Sequence, residues 1–149
     1  MRKFFSLLIL ALMVSCNCDE LEPIAEECPC FNDDQQPPFF KSCEDNPKKS
    51  ERHDCMVSEL LSFVYSNVKY TSSARENCVE GTVIIRIEVS DTGEILQTEA
   101  INNPHLGHGL EEEALRVVDL MEGMWCPGLV ECNPVDMEYI LPFLFKLAK

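Results

Sequence analysis

Between Gly81 and Phe145 the hydrophobic period runs from two to about 3.6 and back to two, which restricts this chain to a small sheet covered by helix. Val83, Ile85, Ile87 and Val89 point one way and Thr82, Ile84, Arg86 and Glu88 the other, the alternation of a strand with one buried face. Asp91-Thr92-Gly93-Glu94 supplies turn chemistry, with Gly93 free to take a positive φ, so 95–101 returns as the hairpin partner. After a loop from Asn102 to Gly109, Leu110, Ala114, Val117, Val118 and Met121 share one side of a helix that Gly123 stops. Its first turn carries Glu111, Glu112 and Glu113 beside the positive end of the helix dipole, a placement worth about 0.3–1 kcal/mol each. These acids read as a capped, solvated helix start rather than as paired catalytic carboxylates. Trp125 reads as a core anchor, and Val135, Met137, Tyr139, Leu141, Phe143 and Phe145 alternate as the buried face of a last strand. Pro142 lies within that strand and has no N–H for a ladder, which places the strand at a sheet edge.

Upstream, Asp54 offers an N-cap, and Val57, Leu60, Leu61, Val64 and Val68 follow at the spacing of an amphipathic helix whose apolar face needs a sheet to cover. The expected fold class is therefore α+β, a two-layer arrangement of a three-stranded antiparallel sheet with two helices on one face. From Cys16 to about Asp54 the composition is acidic, rich in Pro and Cys, and without periodicity, which reads as a tether partly pinned by disulfides. The expected organisation is a signal segment over 1–15, a tether over 16–54 and one domain over 55–149.

Four signals in order, Gly81-Thr82-Val83, Glu113-Ala114-Leu115-Arg116-Val117-Val118, Trp125-x-Pro127-Gly128 and Pro134-Val135 with Tyr139-x-Leu141-Pro142, resemble the TonB C-terminal domain. The resemblance covers roughly 70–147, and Pro38-Phe39-Phe40, the helix around Leu60-Leu61 and Lys69-Tyr70 are similar to the segment preceding that domain. The family usually has Tyr-Pro at Tyr70-Thr71 and Gly at Cys78 and Cys132, departures that read as local. The resemblance implies a periplasmic protein-binding domain whose last strand, Val135, Asp136, Met137, Glu138, Tyr139, Ile140 and Leu141, is an edge that receives an extended segment of an outer-membrane receptor or another envelope protein. It implies transmembrane transport or energy transduction less strongly, because a transducer also needs an inner-membrane helix and a long linker, and the sequence displays neither. The competing reading is a structural or self-dimerising outer-membrane lipoprotein, since edge strands pair readily with copies of themselves.

The first residues describe export. Arg2-Lys3 form a positive start, Phe4 to Val14 an apolar stretch, and Ser15-Cys16 a small residue before a cysteine. Leu12-Met13-Val14-Ser15-Cys16 resembles a bacterial lipobox, so the preferred reading is cleavage before Cys16 with lipid on its thiol, and plain secretion is the alternative. About 11 apolar residues are too few to span ~30 Å of hydrocarbon. The expected location is the cell envelope, lipid-anchored and periplasmic or at the outer membrane, with the acidic Asp19-Glu20 loosely resembling a surface-export tag.

Export makes the nine cysteines intelligible as disulfide partners, and lipid on Cys16 leaves an even number. Two pairs follow from local spacing: Cys126 with Cys132 across the Pro127-Gly128 turn, and Cys43 with Cys55 around a short loop. Cys28-Pro29-Cys30 reads as structural rather than redox-active.

Loss of 1–15 removes two of the twelve basic and none of the twenty-six acidic residues, taking the net charge from −14 to −16. That charge excludes nucleic acid and electrostatic adsorption to anionic lipid. His105-x-x-His108 with the following glutamates is the nearest approach to a metal site, but it falls in a Gly-rich loop rather than on one helical face. No phosphate loop, nucleophile elbow or serine with His and Asp partners is present, so neither an enzyme nor a cofactor is expected.

Overall fold

The computed structural model of the chain describes residues 28–31, 34–102 and 104–147. The expected signal segment, Cys16 and residues 17–27, 32 and 33 of the expected tether lie outside those residues. The architecture is α+β: β1 (Gln35–Gln36), β2 (Phe39–Phe40), α1 (Lys49–Asn67), α2 (Ser72–Glu76), β3 (Gly81–Val89), β4 (Ile95–Ala100), α3 (Leu110–Asp119), β5 (Trp125–Cys126), β6 (Gly128–Val130), β7 (Asn133–Val135) and β8 (Met137–Phe145). The main sheet is antiparallel with order β4-β3-β8. One face of β3 and β8, from Val83, Ile85, Ile87, Val89, Leu141, Phe143 and Phe145, is buried against Leu110, Ala114, Val117 and Val118 of α3 and Met56 and Leu60 of α1. Among the described residues, no helix is long and apolar enough to cross a membrane.

The hairpin β3–β4 turns on Gly93, where φ is +85° and a Cβ would stand 2.4 Å from the Trp125 carbonyl oxygen, so both the conformation and the close approach require glycine. Beyond the end of β4 the side chain of Asn102 continues the ladder: Ile84 N–H donates to its Oδ1 at 2.5 Å, and its amide donates to the Thr82 carbonyl at 2.5 Å. Ahead of α3, Glu111 is not solvated. Its carboxylate is buried and accepts from the N–H groups of Leu106 and Gly107, fixing the preceding loop. Glu113 accepts from Arg116 and from Lys69 N–H, tying α3 to the end of α1. Arg116 beside it holds the Glu113 carboxyl below the usual carboxylate value.

The described residues of the expected tether, 28–31 and 34–54, are built into the body. β1 pairs with β6 and β2 with β5, burying Phe39 and Phe40 in the core. The rings of Phe40 and Trp125 meet edge-on at 4.7 Å, and Trp125 lies 5.3 Å from Tyr139. Trp125 is thus the core anchor expected, and its indole N–H has no acceptor among the described residues. Two disulfides, Cys28–Cys126 and Cys30–Cys132, clamp this segment to the far end of the chain, and a third joins Cys43 to Cys55.

The expected Cys126–Cys132 bridge is therefore corrected. Gly128 pairs with Val135, so continuing that register sets Cys126 level with Met137, whereas Cys132 lies in the turn between β6 and β7. Five residue steps separate the two levels, roughly 16 Å of strand and far beyond the ~7 Å that a disulfide spans.

Helix α1 also differs from expectation. It begins at Lys49, not at Asp54, and it buries Arg52, Met56 and Leu60, while Val57 and Leu61 are exposed. The face is rotated because the N-terminal segment lies against it. The Arg52 guanidinium donates to the carbonyls of Asn46 and Pro47 and covers the Phe31 ring, and Met56 Sδ accepts from Phe40 N–H. The short α2, capped by Thr71 Oγ1 accepting from Ala74 N–H, is an element that the periodicity did not reveal.

Candidate functional site

The candidate site is the free edge of the main sheet. Ile84 donates to Asn102 and its carbonyl accepts from Ile101 N–H, so its backbone polar groups face β4. Its cross-strand neighbour on the other side is Pro142, and this is consequently a pair without mutual hydrogen bonds. By alternation the backbone groups of Glu138, Ile140, Pro142 and Leu144 point out of the sheet. Pro142 places its missing donor where β3 has no need of it, which is why proline is tolerated within this long strand. No partner among the described residues meets the outward N–H groups of Glu138, Ile140 or Leu144.

Of the sequence-predicted edge residues, Met137, Glu138, Tyr139, Ile140 and Leu141 lie on β8. Val135 does not belong to the open edge, because it is in β7 and pairs with Gly128. Asp136 stands between the two strands, and its carboxylate accepts from Asp91 N–H at 2.8 Å. The tight β6–β7 hairpin interrupts what the alternation presents as one continuous strand. The open edge instead extends at its other end to Phe145.

The two faces of β8 differ in chemistry. On the outer face Ile140 is 49% and Leu144 67% exposed. Glu138 on that face is directly opposite Glu88. Arg86 lies 3.8 Å from Glu138 but is engaged more closely by Glu99, so three carboxylates share one cation. On the helix face, Tyr139 borders an open cavity of about 100 Å³ whose other walls include Pro38, Phe39 and Met56, with Lys49 and His53 also lining it. Burial raises the Tyr139 phenol above its usual pKa. The residues from 36 to 53 that line this cavity were not singled out as functional in the sequence, because they fall in the stretch without periodicity.

Other sequence candidates are dispersed. His108 Nδ1 contacts Ser73 Oγ at 2.9 Å, while His105 lies near Glu111, whose carboxylate serves the loop backbone. Among the described residues no three His, Cys, Asp or Glu side chains gather to hold a metal ion. Cys28 and Cys30 bond to different partners and not to each other.

A three-stranded antiparallel sheet with helices packed on one face and β8 at its edge defines a two-layer α+β domain. The family model of the Gram-negative bacterial TonB protein C-terminal matches residues 66–147, and the chain belongs to that family. Members are interaction modules of the Gram-negative envelope, and the antiparallel α+β architecture fits the assignment. No curated protein and no solved structure gives a significant match. At Cys78 and Cys132, where the resemblance leads one to expect glycine, φ is +51° and +62°. The backbone keeps the left-handed turns although the side chains have changed.

Proposed function

We propose that this chain is an envelope protein-binding module that adds an extended segment of an outer-membrane receptor, or of another envelope protein, to β8, in support of transport or energy transduction across the outer membrane. The observation that carries the reading is the row of outward backbone groups on Glu138, Ile140 and Leu144, beside a proline that cannot be part of an inner ladder. Main-chain hydrogen bonds give affinity, and side chains on alternate positions give specificity. The protein performs no catalytic step and needs no cofactor in this role, and its acidity argues against nucleic acid as partner. Lipid on Cys16 holds it to a membrane; intact mass of membrane-extracted protein should show a chain that starts there with acyl additions, and a free thiol and amine would contradict this.

Self-association through the same edge is the second reading, favoured by the exposed Ile140 and Leu144. The test compares wild type with Ile140→Pro. The Ile140 N–H points outward, so its loss leaves the β3–β8 ladder intact. Capture of outer-membrane proteins should fall while the thermal melt changes little; unchanged capture by the folded variant contradicts strand addition, and a constitutive dimer with no capture favours the second reading.

A further inference from the structure

We infer that the segment added to β8 carries a basic residue followed or preceded directly by an aliphatic one: the basic side chain meets Glu138 on the outer face, and its neighbour enters the cavity beside Tyr139. This rests on the strand-addition reading and names the chemistry of its partner. Residues opposite each other in adjacent strands point to the same face, and consecutive residues point to opposite faces. A partner residue opposite Glu138 therefore lies on the outer face, and the next one, opposite Tyr139, lies on the helix face.

On the outer face Glu88 and Glu138 oppose each other across the ladder, and like charges so placed repel. Arg86 cannot neutralise both, because Glu99 engages it more closely. A cation added beside Glu138 relieves that repulsion without displacing anything. On the helix face the cavity of about 100 Å³ is walled by Pro38, Phe39, Met56 and Tyr139, a size and lining suited to a branched aliphatic side chain. Lys49 and Arg52 also line it, so a second basic residue is disfavoured there. The two faces thus reject each other's ligand, and a slip of one residue in register puts both partner side chains in the wrong place. The outward position after that, opposite Ile140, adjoins the exposed Ile140, Pro142 and Leu144 and takes an apolar residue.

The experiment titrates the full chain, disulfides intact, with three otherwise identical extended peptides whose central residues are Lys-Leu-Val, Glu-Leu-Val and Lys-Ser-Val, each made in both chain directions because a parallel segment reads Lys-Leu-Val along β8 and an antiparallel one Val-Leu-Lys. At low salt the Lys-Leu-Val peptide should bind about three- to fivefold more tightly than Glu-Leu-Val, and Glu138→Lys should reverse that order. Replacing Leu by Ser should weaken binding about tenfold. His53→Trp, which closes the cavity from an exposed helix position, should erase the Leu/Ser difference and keep the Lys/Glu difference. Equal affinities for all three peptides, each lost in Ile140→Pro, would overturn the basic–aliphatic pattern and leave strand addition standing. Binding indifferent to Ile140→Pro, or no binding by any peptide at millimolar concentration, would overturn strand addition and this inference with it.

Discussion

Cys28 and Cys30 are two residues apart and their partners Cys126 and Cys132 six, so the two bridges close nearly the same long loop, and their contributions are not additive. On the chain-entropy relation, the first bridge to form closes about 100 residues and is worth about 4.7 kcal/mol. Given that bridge, the second closes only the small ring through 28–30 and 126–132, about eight residues, worth about 2.5 kcal/mol. Removing either bridge alone should therefore cost about 2.5 kcal/mol, and removing both about 7 kcal/mol, some 2 kcal/mol more than the sum of the single losses. The assay is urea unfolding without reductant of Cys28→Ala/Cys126→Ala, Cys30→Ala/Cys132→Ala and the fourfold variant. A loss near 4.7 kcal/mol from one pair would refute the parallel arrangement, as would a non-reduced peptide map that links Cys126 to Cys132.

Gly93→Ala should destabilise by about 1–3 kcal/mol, read by the same unfolding assay, because it combines a left-handed φ with contact on the Trp125 carbonyl. Cys78→Gly should act in the opposite sense and stabilise by about 1 kcal/mol, since Cys78 is exposed, has no disulfide partner among the described residues and holds φ at +51°, a strain that glycine relieves. The folded-state pKa of Glu113 is depressed by its hydrogen bonds to Arg116, so its contribution is present above the ordinary glutamate value of 4.5 and is lost as pH falls through the lower folded value. Glu113→Gln should flatten that acid limb of a stability profile measured from pH 7 downward; an unchanged limb would show that other carboxylates govern it.

The sheet was legible because its signals are local. The alternation of Val83 to Val89, the Asp91–Glu94 turn and Pro142 each report on their own strand, and β3, its hairpin with β4 and the edge position of β8 follow from them. The clamp at the other end was not legible, because β1 and β2 have two residues each and find their partners about ninety residues away. No period can be read from two residues. The same contacts rotate α1, so a stripe drawn through Val57 and Leu61 misses Arg52 and Met56, which the N-terminal segment covers. At the site, the alternation runs unbroken through Val135 and Asp136, and only the positive φ of Glu131 and Cys132 discloses that a hairpin ends there. The cavity beside Tyr139 needed the fold, since its walls come from stretches of chain far apart in sequence.

Amide hydrogen exchange along β8 tests strand addition most directly. In the free protein the N–H groups of Glu138, Ile140 and Leu144 face away from β3 and should exchange quickly, while those of Tyr139, Leu141 and Phe143 are held in the ladder and should exchange slowly. Binding of a peptide or receptor segment should slow Glu138, Ile140 and Leu144 and leave the alternate residues as they were. Protection that appears on β4 or the helices with these three amides unchanged would contradict capture by the edge of β8.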